Sequence, residues 1–174
     1  MDLYSKLVGR FNAYNLLCVY ASATLLGEDK MDVLTALSNV DPVAGRFELI
    51  KSIDGVSAIV DYAHTPDALE NILSTITEIR TQNEQVRTVV GCGGNGDKGK
   101  RPEMAAIACK YSDRVILTSD NPRDEYPQAI VNDMKVGVEP VDYKKTNTIL
   151  DRAEAIRMAC CLAQAQDIVL VAGK

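Results

Sequence analysis

The sequence predicts an α/β protein: a mainly parallel sheet covered by helices on both faces. Three observations predict it. From Gly55 onward, short apolar runs alternate with stretches of helical periodicity, as in repeated strand-helix units. Runs such as Ala58-Ile59-Val60 and Ile168 to Ala172 are continuously apolar, which suits strands buried on both faces. Between them, Ala58 to Leu69 passes from an apolar strand ending at Asp61 into Thr65-Pro66-Asp67, which reads as N-cap, first-turn proline and first-turn acid of a helix. Asp61, Tyr62 and His64 therefore sit on a strand-to-helix turn. In open α/β sheets ligands bind beyond such strand ends, and free N–H groups of the helix start favour anions there.

The elements come in this order. Asn12 to Leu26 reads as an amphipathic helix with Ala13, Leu16, Leu17 and Tyr20 on one face and Gly27 as its left-handed terminator. Asn12 and Asn15 share one side of it. From the residues alone, Asn12 is an N-cap and Asn15 an exposed polar position. A second helix spans about Met31 to Ser38. Asp41-Pro42 breaks the pattern, and a boundary near residue 43 separates these helices from the rest of the chain. Strands are expected at Gly45 to Ile50, Val56 to Asp61, Val86 to Val90, Arg114 to Leu117, Gly137 to Glu139 and Ile168 to Ala172. Helices are expected at Pro66 to Arg80, Pro102 to Tyr111, Pro127 to Met134 and Asp151 to Ala163. The first of these helices buries Leu69, Ile72, Leu73 and Ile76; the last opens on the capping box Asp151-x-x-Glu154.

Composition narrows the function classes. The chain has 174 residues, 47% of them hydrophobic, with 24 acids against 19 bases for a net charge of −5. That balance argues against a nucleic-acid surface. No apolar segment approaches the ~20 residues of a membrane span, so a cytoplasmic protein is expected. Five cysteines without CxxC spacing and a single histidine, His64, argue against a zinc site and for reduced thiols. Both ends read as cut, and the chain is expected to be a piece of a longer protein.

Two glycine motifs need weighing. Gly91-Cys92-Gly93-Gly94-Asn95-Gly96 fits G-x-G-x-x-G, but the next helix is expected only at Pro102, whereas a dinucleotide fingerprint opens its helix within the motif. Gly94 to Lys100 matches a P-loop until Arg101 replaces the Ser or Thr that would hold Mg²⁺. There remains a glycine loop carrying Lys98, Lys100 and Arg101 at a strand end, suited to a carboxylate or phosphate. The other charged turn is Asp120-Asn121-Pro122-Arg123. It reads either as an ordinary turn or as an amino-acid clamp, with Arg123 gripping a carboxylate while Asp120 and Asn121 take an ammonium.

Together, Gly9 to Asn15, Gly45 to Glu48, Val60 to Leu69, Gly91 to Gly94 with Lys98 to Pro102, Asp120 to Arg123, and Val171 to Lys174 resemble the Mur ligases in order and spacing, and within them the members that add diaminopimelate. The resemblance implies that residues 1–43 are the last helices of a central ATPase domain and that 44–174 are most of a Rossmann-like C-terminal domain. It implies ATP-dependent amide formation: the glutamate carboxylate of UDP-MurNAc-L-Ala-D-Glu is activated as an acyl phosphate and attacked by the amine of meso-diaminopimelate, with Mg²⁺ neutralising charge. Asn12, Asn15, Arg46, Asp61, Tyr62 and His64 match the nucleotide side, with a plain structural role for His64 as the alternative. Asp120, Asn121, Arg123 and Gly173 match the amino-acid side. Where the family usually carries an arginine in the glycine loop this chain has Gly96, and Lys98 or Arg101 is expected to substitute. The phosphate loop and metal-binding residues of the family have no match in this sequence, so no catalytic or metal residue is expected in this chain, which should be inactive alone. The expected partners are small molecules and the expected state a monomer. The alternatives are a lysine-adding Mur ligase, a folylpolyglutamate synthase-like ligase, or a stand-alone nucleotide-binding module.

Overall fold

The computed structural model describes residues 3–81 and 83–173. Two helices come first, α1 (Arg10–Leu25) and α2 (Lys30–Ser38). The Asp29 side chain caps α2 by accepting from the N–H groups of Met31 and Asp32. Gly9, at φ 99°, precedes α1, while Asn12 lies inside its first turn and donates to the Val8 carbonyl at 2.8 Å, so Asn12 is not the cap. Of the expected apolar face only Leu16 is buried. Ala13, Leu17 and Tyr20 line an open groove with Leu3, Leu7 and Leu34.

The remainder alternates strand and helix: β1 (Glu48–Lys51), β2 (Ser57–Asp61), α3 (Pro66–Ile79), β3 (Val86–Cys92), α4 (Lys100–Tyr111), β4 (Arg114–Ser119), α5 (Pro127–Lys135), a 3-10 turn at Pro140–Lys145, β5 (Thr146–Thr148), α6 (Arg152–Cys161) and β6 (Ile168–Ala172). These strands form one sheet in the order β1-β2-β6-β3-β4-β5, antiparallel only between β1 and β2. From β2 through β3 and β4 to β5 the chain travels in one direction, with α3, α4 and α5 on one face. It then returns to β6 with α6 on the other face. Right-handed crossovers require that arrangement, because reversing the direction of travel moves the connecting helix across the sheet.

The α3 face is buried as its periodicity predicts: Leu69, Leu73 and Ile76 are fully covered and Ile72 nearly so. Thr65 caps α3 by accepting from the Ala68 N–H, with Pro66 in the first turn. Strand side chains alternate between the two cores, Val90 and Cys92 facing α3 to α5 and Val89 facing α6.

Two expectations are corrected. No strand forms at Gly137 to Glu139; Gly137 packs so closely on the Pro102 carbonyl that a side chain there would collide with it. The strand is Thr146–Thr148, a half-buried edge whose polar residues lack the apolar signature. Helix α4 begins at Lys100 rather than Pro102. A proline within the first turn is tolerated because its missing N–H has no partner in the helix.

Candidate functional site

The sheet order sets the C-terminal ends of β2, β6, β3 and β4 side by side, with Asp61 opposite Ala172 and Cys92 opposite Ser119. Most of the residues singled out in the sequence, Lys98 and Arg101 excepted, gather around two cavities near these ends.

The first cavity, about 460 Å³, lies between α1, the loop before β1, the end of β2 and α3. Asn12, Asn15, Arg46 and Asp61 line it together with Phe11 and Asn71. Asp61 is only 6% exposed. Its Oδ2 accepts from the Phe47 N–H and its Oδ1 from the Ala63 N–H, both at 2.7 Å. Each oxygen keeps a further lone pair for a ligand hydroxyl. The carboxylate thus locks both the β1 entry loop, where Phe47 sits at φ 49°, and the turn after β2.

The second cavity, about 240 Å³, is lined by Asp120, Asn121, Arg123 and Gly173, with Tyr62, His64, Lys100 and the glycine loop. Arg123 adopts φ 50°, and its Nη1 donates to the Gly94 carbonyl at 2.7 Å, leaving its other N–H groups for a ligand. The Gly94 N–H donates to the Asn121 carbonyl at 2.9 Å, and any side chain at Gly94 would strike the Pro122 carbonyl. Gly173, at φ 89°, donates its N–H to the Asp61 carbonyl at 3.1 Å. The adjacent Lys174, part of the same expected motif, lies outside the described residues.

Tyr62 lines the second cavity and touches the first through Arg46. The Arg46 guanidinium lies 4.5 Å from its ring centre, and the His64 ring meets it edge-on at 4.8 Å. Tyr62 and His64, expected on the nucleotide side, line the second cavity instead. Successive residues at a strand end project to opposite sides, so Asp61 and its neighbour Tyr62 part company.

Of the cations expected to replace the missing arginine, neither lines the second cavity. Arg101 is fully buried; it donates to both oxygens of Glu125 at 2.8 and 2.9 Å, to Asp133 at 2.8 Å and to the Gly93 carbonyl at 3.3 Å. This pairing holds the Glu125 carboxyl down at about 2. Lys98 is largely exposed, 3.7 Å from Glu125. The cation that does line the cavity is Lys100, whose Nζ donates to the His64 carbonyl at 2.8 Å. A helix turns by about 100° per residue, so starting α4 at Lys100 sends that side chain to the cavity and Arg101 into the core. A helix starting at Pro102 would leave both side chains on the loop. Gly96 borders the cavity, and a side chain built there meets nothing within 4 Å.

Behind the cavity, burial pushes the Cys92 thiol up to about 11, which keeps it protonated and unreactive. Among the described residues no three His, Cys, Asp or Glu side chains could together hold a metal ion.

The description "Mur ligase, glutamate ligase domain" fits residues 45–174. UDP-N-acetylmuramoyl-L-alanyl-D-glutamate--2,6-diaminopimelate ligase of Cytophaga hutchinsonii is 60% identical over the whole chain, and that of Bacteroides thetaiotaomicron is 59% identical over 99% of it. The chain spans 36% of the length of each of these curated relatives. A solved structure of a ligase of the same name superposes over all of the chain, and 35% of its own, with a TM-score of 0.71 at 40% identity. Mycobacterium tuberculosis folylpolyglutamate synthase, 19% identical, covers 99% of the chain and 39% of its own with a TM-score of 0.75, a likeness of fold alone. The chain belongs to the Mur ligase family, and residues 45–174 are its glutamate ligase domain.

Proposed function

We propose that this chain supplies the amino-acid-binding lobe of an ATP-dependent ligase that joins meso-diaminopimelate to the glutamate carboxylate of UDP-MurNAc-L-Ala-D-Glu through an acyl phosphate. The observation that carries the reading is the pair of cavities, one holding Arg46 and Asp61 and the other Asp120, Asn121 and Arg123, linked by the Arg46–Tyr62 contact. A volume of about 460 Å³ suits a nucleoside, since small-molecule sites generally run from about 300 to 1,000 Å³. The smaller cavity suits a free amino acid.

Each side chain has a task in that reading. Asn12 and Asn15 face the base, Asp61 accepts from ribose hydroxyls, and Arg46, held over Tyr62, meets a phosphate. In the second cavity Asp120 and Asn121 take an ammonium group while Arg123 and Lys100 take carboxylates. ATP supplies the phosphoryl group that activates the carboxylate. The lobe's contribution is to hold the incoming amine close to that carboxylate and to exclude water. Residues 1–43 belong, in this proposal, to a central ATPase domain and 44–174 to the C-terminal domain. The five free cysteines suit a reducing, cytoplasmic compartment, and the ligase is proposed to act as a monomer; no described helix is long and apolar enough to cross a membrane.

The test is phosphate release by the full-length gene product given ATP, the UDP-linked dipeptide and one amino acid at a time. Release with meso-diaminopimelate, lost on Arg123→Ala, is the expected result. Preference for L-lysine would overturn the substrate assignment, and release with none would overturn the ligase reading.

A further inference from the structure

Arg152, the first residue of α6, joins strand tips that the chain places far apart in sequence. Just before it the backbone runs along the end of β4: the Ile149 N–H donates to the Leu117 carbonyl at 3.1 Å and the Ser119 N–H to the Leu150 carbonyl at 3.2 Å. Helix α6 therefore starts beside Ser119 and Asp120, capped by Asp151, which accepts from the Glu154 N–H at 2.8 Å. From there the Arg152 side chain extends past β3 to β6, where its Nη2 donates to the Ala172 carbonyl at 3.0 Å. The next residue, Gly173, is part of the second cavity's wall, and Asp120 is another part. Nη1 is buried and has no hydrogen-bond partner among the described residues. Burial lowers the guanidinium's pKa, and the opposing influence is the negative charge of Asp120. A buried guanidinium with an unused donor is costly to keep. Packing alone would be served as well by a methionine.

We propose that Arg152 is a positioning residue for the amino-acid pocket, a tie that fixes the β6 tip against the β4 tip so that Gly173 and Asp120 stay at the separation the amino acid requires. The inference rests on the ligase reading and deepens it. Arg152 touches no reacting atom; it acts through the Ala172 carbonyl, from a helix start that is itself bonded to the end of β4.

Steady-state kinetics of the full-length ligase test it. Arg152→Met should raise KM for the amino acid by about tenfold and KM for ATP distinctly less, since the β6 tip walls the amino-acid pocket and reaches Asp61 only through its backbone carbonyl. Arg152→Lys should restore part of the loss. Combined with Asp120→Asn, the effects on amino-acid KM should fall short of additive, because both changes disturb the same pocket wall. Equal rises in both KM values, no rise, or strict additivity would overturn the inference while leaving the ligase reading intact. Absence of amino-acid-dependent turnover in the wild-type enzyme would overturn both. Should Arg152→Met fail to fold, Arg152→Lys carries the test: a selective rise in amino-acid KM supports the tie, and wild-type values overturn it.

Discussion

At Asp61 two 2.7 Å hydrogen bonds from backbone N–H groups satisfy a buried carboxylate that also lines the larger cavity. Asp61→Ala should therefore act twice. Leaving two buried donors unpaired costs about 2–4 kcal/mol of stability, measurable by urea unfolding. Asp61→Asn keeps one acceptor oxygen and separates the two roles; it should raise KM for ATP more than for the amino acid, and equal effects would count against the ribose contact. Gly96 offers a test in the opposite direction. Open space surrounds it and its backbone is not left-handed, so Gly96→Arg should change stability by no more than about 0.5 kcal/mol. It should lower KM for diaminopimelate by adding a further cation to the cavity that Lys100 and Arg123 already line. An unchanged KM would show that Lys100 already fills that role. At this scale the placement of Asp61 at one strand end and of Asp120, Asn121 and Arg123 at another was legible in the sequence, because turn residues mark where the apolar strands stop; Arg46 entered only through the family resemblance. The placement of Arg101 was not legible. Spacing places a cation on a loop but cannot reveal that Glu125 and Asp133, brought by other elements, capture it.

The loop after β3 and the loop after β4 are stitched into one unit. Asn95 donates through its backbone to Glu125 and through its side chain to Asp124, and Arg101 joins both to α5 through Asp133. Glu125 titrates at about 2 in the fold against an ordinary 4.5, so its contribution is complete above 4.5 and is lost as pH falls through about 2. Glu125→Gln should lower the melting temperature at pH 7 and flatten its decline between those limits, read by circular dichroism. An undiminished acid slope would refute the linkage. Arg101→Met, which strands two partly exposed acids, should cost about 2 kcal/mol. Thr65→Ala at the start of α3 should cost about 1 kcal/mol through the lost cap. Elements with strong periodicity, such as α3, and with unbroken apolar runs, such as β6, were readable from the sequence. Strand β5 was not, because Thr146-Asn147-Thr148 becomes a strand only by pairing with β4.

Across the sheet, helices α3 to α6 lie where right-handed crossovers put them, and the candidate site lies where four strand tips meet. That meeting depends on β6, which hydrogen-bonds to β2 on one side and to β3 on the other. Residues 168–172 are buried throughout and contribute to both cores. Termination after Asp167 should leave β2 and β3 without a common partner, remove the sheet signal from circular dichroism and abolish cooperative unfolding; a cooperative transition would contradict the central place of β6. A ribosome making this polypeptide delivers the keystone of the sheet after the other five strands. Those earlier strands must wait as two separated groups until it arrives, their inner edges open to any other chain that reaches them first.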